Sequence, residues 1–200
     1  MYLSTFGVDL RHLTLYSHWN ITRMIFESNY YIKIDRIEIH RHVLNGPYIR
    51  LINLWTQGEL YRRLKAHSEK LFHYSLWLQL SNGKKISLEK SPMINFEENP
   101  IHNRDEILEI PCLSYVTFGE LLEKSHIEMG NNFFSYSVEN NNCGNFIESI
   151  LKANGLNKFL PESFIRKNIS DIFDGLNVTK LIDDIVFIVR IASILFPASM

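Results

Sequence analysis

Residues 71–90 read LFHYSLWLQLSNGKKISLEK, two β-rich runs on either side of Ser81-Asn82-Gly83, the strongest short-range hairpin signal in the chain. The length of the turn decides which side chains share a face. A two-residue Asn82-Gly83 loop sets Ser81 opposite Lys84 and places His73 and Glu89 on opposite faces of the ribbon. A three-residue loop with Gly83 as the bulge sets Leu80 opposite Lys84 and Ser75 opposite Glu89, so that His73 shares the face of Glu89. The second arrangement is the one expected.

Upstream, residues 31–44 (YIKIDRIEIHRHVL) alternate apolar and polar through Ile32 and Ile34, then Ile37 and Ile39, which predicts a strand with a bulge near Asp35 and Arg36. Asn45-Gly46-Pro47 ends it. In residues 48–66, Ile52, Trp55, Leu60 and Leu64 recur at helical intervals around Gly58, predicting two short helices. The first fifty residues are expected to be an extension packed on the main sheet.

Downstream, residues 92–105 are turn-rich and predicted irregular, and a third strand is expected at 106–110 before Pro111. Thr117-Phe118-Gly119-Glu120 fits a capping box that opens a helix with Phe118, Leu121 and Leu122 on its apolar face. Residues 133–138 are β-rich and predict another strand. Residues 140–155 then read NNNCGNFIESILKANG. Phe146, Ile147, Ile150 and Leu151 sit at helical spacing, and Asn154-Gly155 supplies a left-handed cap. Pro161 is expected to open a further helix toward Phe173, and Thr179 to cap a last one.

The totals bound the reading. The chain has 200 residues, 46% hydrophobic and 12% aromatic, enough for one domain with a substantial core. Lys plus Arg number 21 against 22 Asp plus Glu, a net charge of -1, which does not favour a nucleic-acid partner. Only Cys112 and Cys143 are present, in unlike surroundings, so no disulfide framework is indicated and a reducing compartment fits. The start MYLSTFGVDLRH lacks a secretory pattern. The apolar stretch 185–196 is about a dozen residues, against about 20 for a spanning helix. It is read as a packed terminal helix, with a weak membrane-surface contact through residues 180–197 as the other reading, Lys180 and Arg190 staying among headgroups. The expected location is cytoplasmic.

Cys143 falls at the first turn of its helix. Unpaired amides and a partial positive charge there favour a thiolate over a thiol, whose free pKa is about 8.5. With His73 as base and Glu89 fixing the imidazole tautomer, the three form a nucleophile–base–carboxylate set. The Cys143 backbone N–H, with Asn142 or Asn145, is the candidate oxyanion donor. Each residue also has a plain structural role to offer: a buried cysteine as a small hydrophobe, a strand histidine, asparagines as turn and cap residues. Cys112, after Pro111, reads as structural. His40 and His42 share a strand face, yet no Cys, Asp or Glu stands at a supporting zinc spacing, so no metal is expected. No cofactor motif is present.

The segments LFHYSLWLQLSNGKKISLEK and FFSYSVENNNCGNFIESILKANGL resemble the circularly permuted branch of the papain-like NlpC-type superfamily. That branch includes lecithin:retinol acyltransferase-like proteins and large-DNA-virus thiol proteins. There, histidine precedes cysteine in the chain and opens a hairpin strand, and an Asn-Cys-x-x-Phe motif starts the nucleophile helix. Asn142, Cys143 and Phe146 match that motif, His73 matches the strand histidine, and Glu89 matches the third polar position. The similarity runs from about Leu51 to Phe173. One departure is Gly144, where the family usually carries Gln or Glu.

The resemblance implies an α+β permuted papain-like fold: a small antiparallel sheet packed on the nucleophile helix, with helical N- and C-terminal extensions. The organisation expected is residues 1–50 as extension, 51–176 as catalytic domain and 177–200 as a C-terminal apolar helix. It implies a cysteine-dependent hydrolase or acyltransferase without a cofactor, acting through a thioester on a peptide, amide or lipid-ester substrate. The competing reading is a noncatalytic binding protein that keeps the fold with a decayed site, which Gly144 and the unmatched chain ends favour.

Overall fold

The computed structural model describes residues 17–44, 47–66, 70–91, 93–101, 106–111, 115–137, 140–165, 170–173 and 175–176. The architecture is mixed α+β. Five antiparallel strands, β1 (Ile34–Val43), β2 (Phe72–Leu80), β3 (Lys85–Lys90), β4 (Ile94–Glu98) and β5 (Glu106–Ile110), form one sheet in the order β4-β3-β2-β1-β5. The helices are α1 (Ser17–Asn29), α2 (Pro47–Trp55), α3 (Glu59–Ala66), α4 (Phe118–Met129), α5 (Cys143–Ala153) and the short α6 (Ser170–Phe173).

The hairpin has the expected three-residue loop. Leu80 N donates to Lys84 O at 2.8 Å and Gly83 N to Leu80 O at 2.9 Å. Gly83 takes φ +85°, a left-handed value that a glycine adopts without a Cβ penalty. Ser75 therefore faces Glu89 and Leu76 faces Leu88. The bulge in β1 is also where the sequence puts it: Ile34 pairs with Leu80 while Arg36 pairs with Gln79, leaving Asp35 as the extra residue. That extra residue restores inward parity. Ile34, Ile37 and Ile39 are all fully buried, although strict alternation would have turned Ile34 outward.

One face of the sheet carries the core. Ile37, Ile39, Leu76, Leu78, Ile86 and Leu88 join Phe118 and Leu121 of α4 and Phe146, Ile147, Ile150 and Leu151 of α5 in a single cluster. Side chains of this size stabilise by roughly 1.5–3 kcal/mol each when buried, so this face is what fixes α5 against the hairpin. A second, smaller cluster joins Ile49, Ile52, Leu60 and Leu71 to Ile172 and Phe173.

Several expectations change. β1 is not an added layer, because it lies between β2 and β5, so a boundary at residue 50 cuts through the sheet. Residues 94–98, expected to be irregular, form β4, with Ile94 buried and Phe96 packed against the core. Of residues 133–138, expected as strand, the described 133–137 do not extend: a 3-10 turn covers Gly130–Phe133 and an isolated bridge joins Ser137 to Asn141. Phe133 and Phe134 instead pack edge-on and tilted around the His126 ring at 5.2 and 5.1 Å. Pro161 opens a turn, with Phe164 N donating to Pro161 O at 3.0 Å, rather than a continuous helix. Trp55 is 66% exposed rather than on the buried stripe of α2. The capping box at Thr117 and the break at Gly58 between α2 and α3 are present as read.

Candidate active site

α5 starts at Cys143 because Asn142 caps it. Asn142 Oδ1 accepts from Gly144 N at 2.9 Å and from Asn145 N at 3.2 Å, and Asn145 Oδ1 accepts from Asn142 N at 3.2 Å. A reciprocal box of this kind satisfies helix donors that otherwise lack acceptors and is worth about 1 kcal/mol. The two asparagines proposed as oxyanion donors thus have their carboxamide oxygens committed to capping. The Cys143 N–H, first in the helix, has no acceptor within it. Cys143 is a free thiol, 9% exposed, set at the positive end of the α5 dipole.

His73 reaches both other members of the set. Its Nε2 lies 3.2 Å from Glu89 Oε2, and the ring is also a hydrogen-bond partner of the Cys143 side chain. With Nε2 turned to the carboxylate, Nδ1 is the ring atom left for sulfur. Burial pulls the imidazolium down, but hydrogen bonds to Cys143 and Glu89 and their negative charges outweigh it, and His73 is pushed up to about 10. A cation at His73 is what the Glu89 carboxylate at its Nε2 holds in place. The half-buried ring of His42, directly across from His73 on β1, packs against it at 5.1 Å.

The side of Cys143 next to Gly144 is closed by apolar groups. A Cβ on Gly144 would lie 3.0 Å from Ile165 Cγ2 and 3.5 Å from the Tyr74 ring. Packing therefore gives a reason for glycine at a position where the resembled family carries a long polar residue. Ile165 is held there by its neighbours, since Arg41 Nη1 donates to Phe164 O at 2.7 Å while its guanidinium lies over the Phe72 and Phe164 rings and pairs with Glu106.

Sequence reasoning missed Lys90. This residue is 1% exposed, and its Nζ donates to Asn132 O at 2.7 Å and Asn141 Oδ1 at 3.0 Å. A lysine ending the run KISLEK reads as a solvated strand end, and only the burial of its neighbour Leu88 hints otherwise.

Other candidates separate from the site. His40 is buried with its ring stacked on Trp77 at 4.1 Å and its Nε2 3.0 Å from Glu38 Oε2, an arrangement that occupies the ring in packing. Among the described residues no group of three or more His, Cys, Asp or Glu side chains is arranged around a metal position. Cys112, Thr179 and the terminal stretch 180–197 lie outside the described residues, and among those described no helix is long and apolar enough to cross a membrane. Comparisons with protein-family models, known proteins and solved structures find no match.

Proposed function

We propose that this chain is a cysteine-dependent hydrolase or acyltransferase built on a permuted papain-like arrangement. The observation that carries the reading is the His73 ring, bonded at once to the Cys143 side chain and, at 3.2 Å, to Glu89. Three residues 54 to 70 positions apart in pairs with Cys143 do not converge with this chemistry for the sake of packing, which an aliphatic trio would serve better.

In the proposed reaction the Cys143 sulfur attacks the carbonyl carbon of a peptide, amide or ester. The Cys143 N–H receives the developing oxyanion. As the tetrahedral adduct collapses, His73 gives its proton to the leaving amine or alcohol and a thioester remains. Water or an acceptor alcohol or amine then attacks the thioester, His73 takes its proton, and the carbon–sulfur bond breaks to restore the thiolate. Glu89 holds the ring and balances its charge throughout.

The test is alkylation by iodoacetamide across pH, read at Cys143 by peptide mass spectrometry. Alkylation that persists below pH 7 and is lost in His73→Ala supports the reading. Cys143 reacting like an ordinary thiol, with a midpoint near 8.5 that His73→Ala does not move, supports the noncatalytic alternative. The burial of Cys143, 9% exposed, is the observation on that side. Membrane attachment through 180–197 is a separate part of the proposal, tested by liposome flotation of the full chain against one ending at Asn177. Equal recovery of the two removes it.

A further inference from the structure

Glu89 and Lys90 are consecutive in β3, and alternation turns their side chains to opposite faces of the sheet. Glu89 meets His73 on one face. On the other, Lys90 runs into the interior and ends on Asn141 and Asn132, with its ammonium 4.8 Å from the centre of the Phe146 ring. Its partners are uncharged: Asn132 in the 3-10 turn, Asn141 in the loop, Phe146 on α5 and its strand neighbour Ile94 on β4. No carboxylate among the described residues pairs with it, and burial pushes the Lys90 ammonium down to about 8.

A buried cation without a counter-charge is costly, and an apolar side chain of similar volume would fill the same space at less cost. What the ammonium gains is a hold on Asn141. That residue is 8% exposed and uses every polar atom it has. Its Oδ1 accepts from Lys90, and its Nδ2 donates to Asn132 O at 2.8 Å and to Ser135 O at 2.7 Å. Its backbone N and O exchange bonds with Ser137 at 3.0 and 3.3 Å. The next residue is the Asn142 cap, and the one after that is Cys143.

We propose that Lys90 is a positioning residue for Cys143, its ammonium clamping Asn141 and thereby fixing the turn that delivers the thiol to His73. The proposal rests on the thiol reading above. One rigid strand then serves both halves of the site, holding the base through Glu89 and the nucleophile's approach through Lys90. Displacements of about 1 Å at such a contact cost up to about a hundredfold in rate.

The experiment compares wild type, Lys90→Met, Asn141→Ala and the double variant. It measures the rate constant for iodoacetamide alkylation of Cys143 at pH 6.5, with Cys112 in the same sample as reference and melting temperature in parallel. Each single variant is expected to slow Cys143 about fivefold or more while remaining folded, and the double variant no further than Asn141→Ala alone, because Lys90 acts through Asn141. A folded Lys90→Met that alkylates at the wild-type rate, or losses that multiply in the double variant, overturns the proposal. Should Lys90→Met not fold, Lys90→Leu takes its place in the same comparison, with slowing in support and the wild-type rate against. His73→Ala in the same series separates the two readings. If it slows Cys143 and the Lys90 and Asn141 variants do not, only the positioning role falls; if it has no effect, the thiol reading itself fails.

Discussion

His73 and Glu89 meet diagonally across the hairpin, Nε2 to Oε2 at 3.2 Å, although the residue directly opposite Glu89 is Ser75. A diagonal pair on one face is within reach of long side chains, and here it orients the ring toward sulfur. Glu89→Gln keeps the shape and removes the charge. The expected outcome is a His73 titration, followed by NMR, that falls from about 10 toward the ordinary value, with alkylation of Cys143 at pH 7 slowed about tenfold. An unmoved titration would remove Glu89 from the site.

The same shift makes stability depend on pH. A group whose folded pKa is raised from 6.5 to about 10 contributes fully below the lower value and loses that contribution as pH climbs through the higher one. The urea midpoint of wild type should therefore exceed that of His73→Gln most at pH 6 to 6.5, and the gap should narrow steadily by pH 10. A gap that widens with pH contradicts a charged His73.

Gly144 permits a sharper packing test. In a helix interior Ala gains up to about 1 kcal/mol over Gly, but at this position a methyl meets Ile165 Cγ2 at 3.0 Å. Gly144→Ala should show no net gain in chemical denaturation, and Gly144→Gln a loss of about 1–3 kcal/mol from overpacking. Removing the Cγ2 methyl should release the strain, so adding Gly144→Ala in an Ile165→Ala background becomes stabilising by several tenths of a kcal/mol.

Gly119 is a stricter case. A Cβ there falls 2.5–2.7 Å from three atoms of the Tyr30 ring, and that ring is fixed by its hydroxyl donating to Glu123 and by edge packing on Phe26. Gly119→Ala should cost about 2–3 kcal/mol, visible as a lower melting temperature, without changing the pH dependence of Cys143 alkylation. Loss of reactivity with unchanged stability would contradict a purely structural role for this contact.

What the sequence disclosed follows the range of the interactions. The hairpin register rests on three adjacent residues, Ser81 to Gly83, and on parity, so the shared face of His73 and Glu89 could be read before any coordinates. The Asn142 cap and the inward stripe Phe146, Ile147, Ile150 and Leu151 are likewise local. The place of β1 between β2 and β5 depends on pairing with residues more than sixty positions away, which alternation alone does not address. β4 was obscured because five residues between turn formers give too little period to count. The adjacent aromatics Phe133 and Phe134 mimicked strand propensity while packing about His126. Lys90 was hidden for a chemical reason: a lysine at a strand end is ordinarily solvated, and nothing nearby in the chain announces the asparagine that receives it.

The bulge at Asp35 also bears on how much length the chain can lose. Deleting that residue leaves the inward isoleucines of β1 on the same side, since a regular strand would carry Ile34 opposite Leu80 as the bulged one does. What the strand would lose is the added local twist of the bulge, at the point where Ile34 N donates to the carbonyl of Val116 and Lys33 O accepts from Ser81 N. The sheet would tolerate the shortening, and its burden would fall on the seam where α1 and α4 join it.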